Sequence, residues 1–88
     1  MNKTTEEFIN AAFSEISKKT GVSTSRMFVV WYAKELQNHK ALVSFKGQAE
    51  DPSIGDYIEV TYNGDKKETY YDYYYKKLNV KVTDNENS

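Results

Sequence analysis

The sequence predicts an α+β domain: one N-terminal helix packed on a three- to four-stranded antiparallel β-meander. A short helix and an edge strand are the two alternatives for its C-terminal segment. Three observations predict this class. The chain opens on an amphipathic stripe of helical period. Runs of β-branched and aromatic residues follow, divided by turn-forming residues. Between two of those runs stands Asn63-Gly64, the strongest short-range hairpin signal, because both residues accept φ > 0.

The helix is expected over about residues 4–19. Thr4 and Glu7 have the spacing of a capping box, in which each side chain satisfies an N–H left open at the helix start. Glu6 and Glu7 suit the positive end of the helix dipole, and Lys18 and Lys19 suit its negative end. Phe8, Ile9, Ala12, Phe13 and Ile16 fall on one face. Gly21 supplies the left-handed stop.

Residues 22–26 read as a polar connector. Met27-Phe28-Val29-Val30-Trp31-Tyr32-Ala33 is apolar on both alternating sets. That predicts a strand covered on both faces, or central in its sheet, continuing more polar to Leu36. Trp31 then belongs to the core; an exposed Trp31 would instead mark an interface anchor. Gln37-Asn38-His39-Lys40 is expected as a turn with His39 solvated, and Ala41-Leu42-Val43-Ser44-Phe45 as the partner strand. Residues 47–55 form a loop containing Pro52. A third strand over about residues 57–62 leads through a type I′ turn at Asn63-Gly64 into a fourth over residues 67–73. A short helix over residues 68–78, with Tyr71, Tyr74, Tyr75 and Leu78 on one face, is the alternative, as is a switch to helix near Tyr74. Asn79-Val80-Lys81-Val82 alternates as a short edge strand. The domain spans residues 1–82, and residues 83–88 form a polar, acidic tail expected to be disordered.

Composition bounds the function. The 88 residues make one domain, 39% hydrophobic and 15% aromatic, with eight tyrosines, so rings must supply much of the core. A net charge of -1 gives no global field for nucleic acid or an anionic membrane. No apolar run approaches the roughly 20 residues of a membrane span. The N-terminus carries no apolar secretory segment, and the absence of Cys suits a reducing compartment. These features predict a cytoplasmic protein with no membrane partner, monomeric or weakly dimeric. Catalysis is not expected. There is one His, no Cys and no glycine-rich phosphate loop, and the pairs Glu50 with Asp51 and Glu59 with Glu68 are of a kind any surface offers. No cofactor or metal is expected either.

One segment concentrates binding chemistry. Tyr70, Tyr71, Tyr73, Tyr74 and Tyr75 are flanked by Lys66, Lys67, Lys76 and Lys77. As a strand, this segment puts Tyr71, Tyr73 and Tyr75 on one face, and Tyr70 and Tyr74 on the other beside Asp72. Both faces of so small a domain cannot be buried equally, so at least two tyrosines should face solvent. A protein-binding surface is one use for them, since tyrosine is enriched at interfaces. Stacking of single-stranded nucleic acid, with lysines on the phosphates, is another. Asp72 and the scarcity of arginine weigh against the second. The bland use is a core face and a solvated face. Self-association through the edge strand is a further alternative.

Three blocks carry a family resemblance: Val29-Val30-Trp31; Leu36-Gln37-Asn38-His39-Lys40-Ala41-Leu42; and Val60-Thr61-Tyr62-Asn63-Gly64-Asp65-Lys66-Lys67-Glu68. The chain resembles a small family of uncharacterised proteins, known by a domain-of-unknown-function label, from phages and prophages of low-GC Gram-positive bacteria. The resemblance implies a setting. Short proteins of phage accessory regions often bind a host protein, as anti-restriction and anti-CRISPR inhibitors do. The partner it implies is a host or phage protein.

Overall fold

A computed structural model describes residues 3–51 and 53–75, with Tyr75 defined by its backbone. Helix α1 spans Thr5–Thr20, and a single 3-10 turn covers Thr24–Arg26. Four strands follow: β1 (Met27–Glu35), β2 (Asn38–Phe45), β3 (Ile54–Asn63) and β4 (Glu68–Tyr75). They form one antiparallel sheet in the order β1-β2-β3-β4. The α+β class and the meander are as the sequence predicts. The edge strand expected at residues 79–82 and the tail at residues 83–88 lie outside the described residues.

The helix is set by its ends. The Glu7 N–H donates to Thr4 Oγ1 at 3.1 Å, and the Thr4 N–H donates to Glu7 Oε1 at 2.9 Å, so both arms of the capping box are closed. Gly21 stops the helix at φ 78°, its N–H bonded to the Ser17 carbonyl at 2.8 Å. Phe8, Ala12, Ile16 and Thr20 are buried along one face. They press on a sheet face built from Met27, Ala41, Val43, Phe45, Ile58, Val60 and Tyr62. Tyr71 and Tyr73 extend that face half-buried at the β4 edge.

Two turns differ from expectation. The β1–β2 connection is only residues 36–37, with Leu36 at φ 56°. Residues 38–40, expected as a turn, belong to β2. His39 is therefore not solvated: it is 1% exposed and stacks on Phe8 with ring centroids 4.9 Å apart. Its Nε2 lies 3.0 Å from the Lys3 carbonyl oxygen, and its Nδ1 lies 2.6 Å from the Tyr32 hydroxyl. A carbonyl can only accept, so Nε2 donates to it, and Nδ1 shares the second hydrogen bond with the Tyr32 hydroxyl. The ring thereby ties the segment ahead of α1 to the sheet.

The β3–β4 loop is residues 64–67, not a two-residue type I′ turn. Gly64 has no positive φ, and the left-handed residue is Lys67 at φ 56°. Asn63 Oδ1 accepts from the Asp65 and Lys66 N–H groups at 3.0 and 3.3 Å, closing an Asx-type turn. Gly64 is needed for closeness. A Cβ there would sit 2.4 Å from the Gln37 carbonyl oxygen, and its N–H is held by Asn38 Oδ1 at 2.9 Å. The Asn-Gly pair does mark a hairpin, through contact with the neighbouring turn rather than through its own dihedrals.

Candidate functional site

One helix covers one face of the sheet. The other face has no covering layer among the described residues, and what stands on it follows from one irregularity. Met27, Phe28 and Val29 pair regularly with Phe45, Ser44 and Val43, but the next partner of Leu42 is Trp31. Val30 is an extra residue, a β-bulge. Strict alternation would put Trp31 inside with Met27 and Val29, and Tyr32 outside. The bulge reverses the phase. Tyr32 turns inward to meet His39, and Trp31 turns outward, 42% exposed. β1 is thus neither central nor covered on both faces; it is an edge strand with an open side.

The open face has three rows across the strands. Phe28 lies beside Ser44, which lies beside Tyr57. Trp31 is followed by Leu42, Glu59 and Asp72. Ala33 is followed by Lys40, Thr61 and Tyr70. Along β4, Tyr70 and Tyr74 flank Asp72 and are 49% and 50% exposed. Phe28, Val30 and Tyr57 are exposed to a similar degree. Towards the β1–β2 turn a shallow depression is lined by Ala33, Lys34, Glu35, Asn38, His39, Lys40 and Thr61.

The charges on this face are mixed. Lys40 Nζ pairs with Glu59 Oε2 at 3.2 Å. Tyr74 donates to Glu59 Oε1 at 3.4 Å, and Tyr70 donates to Glu68. That bond to a carboxylate, with burial a smaller contribution, holds the Tyr70 phenol above its ordinary range. Register also places Glu35 and Asp72 on this side. Arg26 and Lys46 lie at the other end, beside Phe28. Among the described residues no three His, Asp or Glu side chains are grouped to hold a metal ion.

The predicted tyrosine cluster divides as its alternation requires. Tyr70 and Tyr74 are on the open face. Tyr71 and Tyr73 are on the helix side, their rings stacked at 6.4 Å, with Lys19 Nζ 5.8 Å from the Tyr73 ring centre. The Tyr71 phenol is pushed above its ordinary range, chiefly by burial and secondarily by the Glu15 carboxylate. Tyr75 ends β4, its backbone paired with Ile54. Lys66 and Lys67 stand exposed in the loop at the far end, away from Tyr74. Lys76 and Lys77 lie outside the described residues. Sequence reasoning did not reach Phe28, Val30, Trp31 and Tyr57 as one surface. A bulge is a property of pairing, and its only sequence trace was an apolar run with no clean alternation.

A single helix over one face of a four-stranded meander, with aromatic side chains on the bare face, defines a small open-faced α+β protein. The chain belongs to a family of unknown function, DUF6275, whose model matches residues 1–84. No curated protein and no solved structure matches it. No helix among the described residues is long and apolar enough to cross a membrane.

Proposed function

We propose that this chain is a non-catalytic binding protein of a phage or prophage, acting in the host cytoplasm on a host or defence protein through the open face of its sheet. The observation that carries the reading is the exposed set Phe28, Val30, Trp31, Tyr57, Tyr70 and Tyr74 on one uncovered face. Scattered exposed apolar residues are ordinary, but a contiguous patch of large ones marks an interaction surface. Tryptophan and tyrosine are the usual anchors of protein interfaces. The phage setting rests on the resemblance in the Leu36 to Leu42 and Val60 to Glu68 blocks, and inhibitors of host proteins are among the proteins of that setting.

The same rings could stack nucleobases, and the charges around them argue against it. Glu35, Glu59, Glu68 and Asp72 share the face with Lys40, which is already paired with Glu59, and with Arg26 and Lys46 at its other end. A phosphate backbone requires the opposite balance. A mixed rim around an aromatic centre is the composition of a protein interface.

The test is capture from a lysate of the host with the immobilised chain and with its Trp31→Ser, Tyr57→Ser double variant. A protein held by the native chain, lost with the variant and unaffected by nuclease is the expected result. Equal retention by the two chains, or release by nuclease, contradicts the reading.

A further inference from the structure

Resting on the reading that the open face binds protein, we propose that its β3–β4 half recognises an arginine side chain presented by the partner. Glu59 and Asp72 stand directly opposite one another in the pairing of β3 with β4. Like charges in directly opposed positions weaken a strand pair, a cost that Lys40 and the Tyr74 hydroxyl relieve at Glu59 but not at Asp72. Lys40 reaches Glu59 at 3.2 Å, and Asp72 has no ion pair among the described residues. Glu35 and Glu68 add carboxylates along the same side. Among the described residues, Asp72 is the carboxylate of this opposed pair that no cation meets.

The surroundings favour a guanidinium over an ammonium. Tyr70 and Tyr74 flank Asp72 on the same face of β4, both half-exposed, and Trp31 lies in the same row. A planar guanidinium forks onto carboxylates through parallel N–H bonds. It also stacks on aromatic rings, which an ammonium does less well. Arg26 and Lys46 beside Phe28 reverse the sign at the other end of the face. Such a reversal orients a partner, since a flipped approach meets like charge. The occupant is thus a protein surface that brings arginine to the β3–β4 side and apolar groups to Trp31 and Phe28.

The probe is the peptide acetyl-Val-Arg-Val-amide, with lysine and citrulline counterparts and an oligothymidylate. Binding is followed by amide chemical shifts and by the fluorescence of Trp31. The arginine peptide should shift Glu59, Tyr70, Asp72 and Tyr74 saturably, about fivefold more tightly than the lysine peptide. The citrulline peptide should be silent at Glu59 and Asp72. Asp72→Asn should weaken the arginine peptide by about tenfold while leaving the denaturation midpoint unchanged or slightly higher. Equal binding of the arginine and citrulline peptides overturns the arginine site and leaves protein binding standing. Absence of shifts with every peptide, or shifts that survive Asp72→Asn with Glu59→Gln, also overturns it. Shifts on this face from oligothymidylate alone overturn both readings.

Discussion

His39 shows how much one side chain can organise. It is packed against Phe8 and Tyr62, shares a hydrogen bond with the Tyr32 hydroxyl and donates to the Lys3 carbonyl. Thr5 Oγ1 lies 2.9 Å from the Tyr32 hydroxyl, so the chain of bonds returns to the first turn of α1. Replacing His39 with alanine removes a buried ring and takes the ring's bond from the Lys3 carbonyl, while the Tyr32 hydroxyl keeps Thr5. His39→Ala should cost about 2–4 kcal/mol in urea denaturation. Tyr71 makes a second prediction. Its phenol is raised in the folded state by burial, then by Glu15, so the folded protein binds its proton more tightly than the unfolded chain does. That contribution is present below the ordinary phenol value of about 10 and is lost as pH climbs through the folded value. The denaturation midpoint should fall above about pH 10, and Tyr71→Phe should flatten the fall. These two residues also divide what was legible. The inward place of Tyr71 follows from period 2 within one strand. The burial of His39 does not, because it depends on Leu36 taking a left-handed conformation at φ 56°. No glycine or asparagine at position 36 advertises that turn.

At the scale of elements, local signals were readable and pairing signals were not. Thr4, Glu7 and Gly21 fix α1 from within the helix, and its predicted and observed limits differ by one residue at each end. The tyrosine segment is strand, as the Asn63-Gly64 hairpin signal predicts, and β4 continues to Tyr75. The bulge at Val30 was out of reach, since nothing in a strand's own sequence dictates how its partner skips a residue. It decides the candidate site, because it turns Trp31 out and Tyr32 in. The contact between the two hairpin turns has the same character. Gly64 lies against Gln37, and a Cβ at that position would meet the Gln37 carbonyl oxygen at 2.4 Å. Gly64→Ala should therefore destabilise the protein by about 1–3 kcal/mol, by forcing the turns apart. A Gly64 that merely supplied a free dihedral would show a smaller change.

Among the described residues, one helix layer covers one face of the sheet and no layer covers the other. The helix stripe and the inner face consume Phe8, Ile16, Val43, Ile58, Val60 and the other core residues. The rings left over are exposed on the far side, spread over β1, β3 and β4. In so small a domain that distribution exposes apolar surface which a further element would ordinarily cover. A partner protein supplies that cover in the function proposed above. The direct measurement is site-specific photo-crosslinking in the native host. Benzoyl-phenylalanine replaces Trp31 in one chain and Ser14, an exposed position on α1, in another. Binding through the open face predicts one discrete protein adduct from position 31 and none from position 14. Adducts from position 14 alone, or a nuclease-sensitive adduct from position 31, would contradict it.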